Sequence, residues 1–164
     1  MDSQLYELAV EVGQTLKDKG WMLVTAESCT GGWVAEAVTM VPGSSEWFER
    51  GFITYTDVAK QEMLGVKATT LQVHGAVSEQ TVREMVAGAL ARSHGHLALA
   101  VSGVAGPTGG APKKPVGTVC LAWGVRDAIA AAVTHHFAGD REAVRRQSVI
   151  EVLEGVLRIV KSEG

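Results

Sequence analysis

Three short apolar segments of this chain each run without interruption into a polar or glycine-rich turn, and this constrains the fold more than any other feature. Trp21-Met22-Leu23-Val24-Thr25 leads into Glu27-Ser28-Cys29-Thr30-Gly31-Gly32, Gly51-Phe52-Ile53-Thr54-Tyr55 into Thr56-Asp57, and residues 97–101 into a stretch from 102 to 115 rich in glycine and proline. Short, partly β-branched runs of this kind match strands buried on both faces. The first two turns give way to helical patterns, one over residues 33–41 that stops before Pro42-Gly43, the other capped by Thr56 or Asp57 and stopped by Gly65. Further helices are expected from Leu5, Leu8, Val12 and Leu16 up to a stop at Gly20, and from a Ser78 cap through Val82, Met85, Val86, Ala89 and Leu90. Residues 116–123 and 129–137 read as a hairpin, and Asp140 caps a last helix with Val149, Val152, Leu153, Val156, Leu157 and Val160 along one face. Helices alternating with the first strands and a hairpin near the end predict an α/β fold: a three-layer α/β/α domain with a mixed sheet, one domain over residues 1–164.

Charge and composition narrow the function. Hydrophobic residues make up 46% of the chain against 20% charged, enough to bury a core. Fifteen Lys and Arg against eighteen Asp and Glu leave a net charge of -3, so no general field draws the protein to nucleic acid or to an anionic membrane. Asp2, Glu7 and Glu11 stand where a secretory leader would be basic and then apolar, and no run approaches the ~18 apolar residues of a membrane span, so a cytoplasmic location is expected. Cys29 and Cys120 have no partners at metal-ligand spacing, which predicts neither a disulfide framework nor a metal site.

The chemistry is expected where the strands end. Ser28 lies just before a helix opened by Gly31-Gly32, where backbone N–H groups and the helix dipole favour an oxyanion; Ser28 or Thr30 also reads as a plain helix cap, a role such residues fill far more often than catalysis. A serine nucleophile needs a base. His74 is the only histidine near these loops in sequence, and His94, His96, His135 and His136 read as structural. Lys60 is a base if burial lowers its pKa, with Tyr55 to relay or hold the proton; otherwise the two are a solvated helix lysine and a half-buried strand residue. Cys29 is a rival nucleophile, since thiolates are activated at helix N-termini, but no histidine at useful spacing supports it. Ser102-Gly103-Val104-Ala105-Gly106-Pro107-Thr108-Gly109-Gly110 offers unobstructed N–H groups suited to a phosphate, yet fits neither the dinucleotide fingerprint nor the P-loop.

Taken together, Ala26-Glu27-Ser28-Cys29-Thr30-Gly31-Gly32, Tyr55-Thr56-Asp57-Val58-Ala59-Lys60, His74-Gly75-Ala76-Val77-Ser78, the loop from 102 to 110 and Lys114-Pro115-Val116-Gly117 resemble the CinA C-terminal domain family, in order and over residues 5–160. The resemblance implies the compact form, without the molybdopterin-binding-like domain of larger relatives. It further implies hydrolysis of the carboxamide of nicotinamide mononucleotide to nicotinate mononucleotide and ammonia, with no cofactor or metal. Ser28 matches the family's nucleophile, Tyr55 its tyrosine and Lys60 its lysine, while Ser102 keeps a hydroxyl at the head of the glycine loop. Thr56-Asp57 replaces a commoner Ser-Asn, and Val104 a commoner isoleucine. Substrate binding is expected from Gly31, Gly32, Ser102, Gly103, Gly106 and Gly109, with Arg145 either a phosphate ligand or a surface helix arginine. The expected partner is a small molecule, with a homodimer as a further expectation. The alternative is a nucleotide-binding regulatory module, against which the retained Ser28, Tyr55 and Lys60 weigh.

Overall fold

The computed structural model describes residues 1–163. In chain order it contains α1 (Ser3–Lys19), β1 (Leu23–Glu27), α2 (Trp33–Thr39), a 3-10 turn (Ser44–Glu46), β2 (Phe48–Ile53), α3 (Asp57–Leu64), α4 (Ala68–His74), α5 (Glu79–Ala91), β3 (Leu97–Gly103), β4 (Thr118–Val125), β5 (Ala131–His136) and α6 (Arg141–Ser162). The strands form one sheet in the order β2-β1-β3-β4-β5. β1 runs parallel to both β2 and β3, while β4 is antiparallel to β3 and to β5, which is the mixed sheet expected. Pairing of Glu27 with both Ile53 and Val101 brings the carboxyl ends of the three parallel strands level, and open α/β sheets bind ligands beyond such ends.

Alternation along the strands builds the three layers. Leu97, Leu99 and Val101 of β3, with Val119, Leu121 and Trp123 of β4, pack into a core shared with α1, α2 and α6. Ala98, Ala100, Cys120 and Ala122 face the opposite way, toward Val82, Met85 and Val86 of α5. Small strand residues on that face make room for the larger side chains of the helix. Gly155 of α6 leaves the space that the Trp123 indole fills, and that indole donates to the Val152 carbonyl at 2.8 Å.

The elements differ from the sequence expectation in instructive ways. β1 extends through Glu27, a charged residue that ends an apolar pattern; it is fully buried here because its carboxylate is satisfied by a neighbouring helix. β2 begins at Phe48, earlier than expected, because a sheet-edge strand has no need of continuous apolar sequence. α4 carries no helical pattern and was not expected. Glu84 of α5 holds its start, accepting from the Lys67 N–H at 2.9 Å and from the Thr70 hydroxyl, so its cap comes from a distant part of the chain. Thr56 and not Asp57 caps α3, accepting from the Ala59 N–H at 3.1 Å.

Candidate active site

An open cleft of ≈ 340 Å³ lies at the carboxyl ends of β1 and β3, with Ser28, Cys29, Lys60 and the loop after Ser102 in its wall. Ser28 follows β1 directly, and its N–H donates to the Val101 carbonyl at 3.0 Å, so the nucleophile candidate is fixed to the sheet. Lys60 comes from the second turn of α3 and is only 1% exposed. Its Nζ lies 3.0 Å from Ser28 Oγ, 2.9 Å from the Thr54 carbonyl and 3.5 Å from the Tyr55 carbonyl. A neutral amine has two N–H donors and one lone pair. In its charged form Lys60 donates to all three oxygens; in its neutral form the two carbonyls take the donors and the lone pair faces the Ser28 hydroxyl.

Burial pushes the Lys60 pKa down, against a smaller upward pull from the Asp57 carboxylate one turn earlier on α3. Among the described residues no salt bridge engages Lys60, so little offsets the cost of burying its charge. The Cys29 thiol is also buried, and burial pushes it up to about 11 despite the nearby Arg145. It is therefore a thiol at neutral pH and lacks the thiolate that a cysteine nucleophile requires.

The turn between Ser28 and α2 is held from several sides. Gly31 and Gly32 both have positive φ, +60° and +106°, which reverses the chain tightly enough to enter the helix. Neither Ser28 nor Thr30 caps α2. Glu27 does so from the preceding strand, accepting from the Val34 N–H at 2.8 Å and the Ala35 N–H at 3.0 Å, and from the Thr30 hydroxyl at 2.6 Å. Ser28 Oγ is thus free of a capping role and available to Lys60. Among the described residues no backbone carbonyl accepts from the N–H of Cys29, the residue that follows Ser28 and also lines the cleft.

Across the cleft, Tyr55 is 56% exposed, and its hydroxyl accepts from Arg141 at 2.9 Å and does not meet Ser28 or Lys60. Arg141 also donates to the Gly106 carbonyl at 2.8 Å, tying the glycine loop to the start of α6. Ser102, Gly103, Gly106 and Gly109 line the cleft. The positive φ of Gly106, +86°, and its close approach to Val116 exclude a side chain there. Gly31, Gly32, His74 and Arg145 lie outside the cleft wall. Arg145 bonds the Cys29 and Thr30 carbonyls behind the turn, and His74 ends α4 beside a neighbouring groove.

Sequence reasoning missed two residues of the site, Glu27 and Arg141. A carboxylate three residues before Thr30 and just ahead of an uncapped helix was the signal for the first. For the second, the signal was a basic residue in the first turn of α6, where the helix dipole disfavours a cation unless something else uses it. Among the described residues no group of three His, Cys, Asp or Glu side chains comes together as a metal would require.

Fold and site define a three-layer α/β protein with a buried serine–lysine pair at the ends of parallel strands. The chain belongs to the CinA C-terminal domain family, whose model matches residues 5–160. It is 50% identical over 157 residues to the nicotinamide-nucleotide amidohydrolase PncC of Enterobacter agglomerans, covering 96% of each chain. Identity to the protein of the same name from Pseudomonas putida is 52% over 152 residues, covering 93% of this chain and 94% of that one. Among solved structures, a competence/damage inducible protein from Agrobacterium tumefaciens matches with a TM-score of 0.91 and 43% identity over 94% of both chains.

Proposed function

We propose that this chain is a nicotinamide-nucleotide amidohydrolase that converts nicotinamide mononucleotide to nicotinate mononucleotide and ammonia through a covalent serine intermediate. The relatives' names support the reaction, and the 3.0 Å approach of Lys60 Nζ to Ser28 Oγ is the observation that carries the mechanism. Lys60, uncharged through burial, takes the hydroxyl proton as Ser28 Oγ bonds to the carboxamide carbon. The Cys29 N–H donates to the oxyanion that forms. The C–N bond then breaks as a proton passes to the leaving nitrogen, giving ammonia and a nicotinyl ester on Ser28. Because Arg141 donates to the Tyr55 oxygen, the phenol's own proton remains free to serve that nitrogen; the proton that Lys60 took from Ser28 then passes through solvent in the open cleft to the Tyr55 oxygen, which restores the phenol and leaves Lys60 neutral. Water, deprotonated by Lys60, attacks the ester, releases the carboxylate and restores Ser28.

The substrate's phosphate is met by the N–H groups of Gly103, Gly106 and Gly109 and the Ser102 hydroxyl, with Arg141 as the cation on the cleft wall. Gly31 and Gly32 act through the shape of the nucleophile's turn. No helix among the described residues is long and apolar enough to cross a membrane, and a cytoplasmic location fits a substrate that its charge keeps inside the cell. A homodimer belongs to the same reading. No observation favours a purely regulatory module.

The test is ammonia release from nicotinamide mononucleotide by the purified protein after prolonged treatment with a chelator. Full turnover is expected, because serine and lysine supply the roles that a metal-bound water otherwise fills. Activity lost on chelation and restored by zinc or magnesium would overturn the mechanism.

The pH profile gives a finer check. Activity tracks neutral Lys60, so it rises with pH through a midpoint below the ordinary lysine value of about 10.4. Asp57 favours the charged form, so Asp57→Asn moves that rising limb to lower pH. A limb that stays fixed, or moves up, would show that the lysine does not set it.

A further inference from the structure

Arg145 reaches the nucleophile's turn from outside the cleft wall. Its Nε donates to the Cys29 carbonyl at 3.0 Å and its Nη2 to the Thr30 carbonyl at 3.1 Å, while the guanidinium lies over the Trp33 ring, 5.4 Å from its centroid. Planar trans peptides hold C=O and N–H in opposed directions, so a bond at one end of a peptide fixes the other end. The Thr30 carbonyl shares its peptide with the Gly31 N–H, which donates to the Ser28 carbonyl at 2.9 Å. The Ser28 carbonyl in turn shares its peptide with the Cys29 N–H, an amide without a backbone acceptor on a residue that lines the cleft next to Ser28. A line of donors therefore runs from the guanidinium through two peptides to the amide of the residue after Ser28.

We propose that Arg145 is a positioning residue for the reaction, acting through this two-peptide relay to orient and polarise the Cys29 N–H that stabilises the oxyanion. The inference rests on the serine–lysine mechanism proposed above. Hydrogen bonds in a chain strengthen one another, and a cation at its head makes each N–H further along a better donor. The benefit appears where negative charge grows on the carbonyl oxygen, in the transition state, and hardly at all in the bound substrate.

Steady-state kinetics with nicotinamide mononucleotide and with the same nucleoside lacking its phosphate test this. In Arg145→Gln, kcat is expected to fall by about 30- to 100-fold for both substrates, with KM changed by less than about threefold, as for a misplaced catalytic group. Arg145→Lys restores the charge but not the two-pronged geometry and recovers part of the loss. If instead KM for the mononucleotide rises tenfold or more while the phosphate-free substrate is untouched, Arg145 is a phosphate ligand and the relay is wrong. Unchanged kcat in both variants would also overturn it. Should Arg145→Gln fail to fold, Arg145→Lys decides by the same kcat and KM criteria. If the wild-type protein releases ammonia from neither substrate, it is the underlying amidohydrolase reading that has failed.

Discussion

Ser28→Ala is expected to lower ammonia release by about 10⁴-fold or more, the scale on which loss of a serine nucleophile is felt elsewhere. Cys29→Ala, in contrast, is expected to keep most of the activity. The two residues are adjacent and both line the cleft, so neither exposure nor position separates them. What separates them is chemistry. Ser28 Oγ has an amine within proton-transfer distance, whereas burial pushes the Cys29 thiol up to about 11 and, among the described residues, no base is hydrogen-bonded to it. The Cys29 amide, which the alanine variant retains, is the part of that residue that the proposed reaction uses. Mass spectrometry of protein quenched during turnover should find the acyl group on the peptide carrying Ser28, and a Cys29→Ala variant as dead as Ser28→Ala would move the nucleophile to the thiol.

Lys60 gives the second large effect. Lys60→Met and Lys60→Arg are both expected to lose activity by about 10³-fold or more, a general base and the activation of its nucleophile being removed together. Methionine keeps the length of the stem in a site only 1% exposed and removes the lone pair; arginine keeps a cation and cannot deprotonate. Calorimetry should still detect nicotinamide mononucleotide binding to Lys60→Met, since the substrate's phosphate is assigned to the glycine loop and Arg141. Near wild-type turnover by Lys60→Arg would make the lysine an electrostatic anchor and send the search for the base to Tyr55 or His74. The structure already separates these two from the pair: the Tyr55 hydroxyl is engaged by Arg141, and His74 lies outside the cleft wall.

Much of this was legible before any coordinates. Asp140 capping α6 and Ser78 capping α5 read directly from the sequence, because a cap is a local hydrogen bond within one turn of chain. Strands β3 and β4 read from continuous apolar runs, because both are buried on both faces. β2 and α4 were harder for the opposite reason: one is an exposed edge and the other borrows its cap from Glu84, so the decisive partner is remote. Arg145 illustrates the same limit within the site. Its residue type suggested an anion ligand, and only the folded chain reveals that it spends its donors on the carbonyls of Cys29 and Thr30.

By itself, then, the sequence determined the layer architecture and the motifs that carry the chemistry, because periodicity, caps and glycine turns act over a few residues. Tertiary structure decided how those motifs work. Ser28 and Lys60 are 32 residues apart, and it is the parallel pairing of β1 with β2, followed by α3 folding back over the strand ends, that brings their side chains to 3.0 Å. The same packing leaves Lys60 with carbonyls and, among the described residues, no salt-bridge partner. Its charge therefore becomes costly, and burial pushes its pKa down from the value an exposed helix lysine keeps, which is what the proposed base role requires.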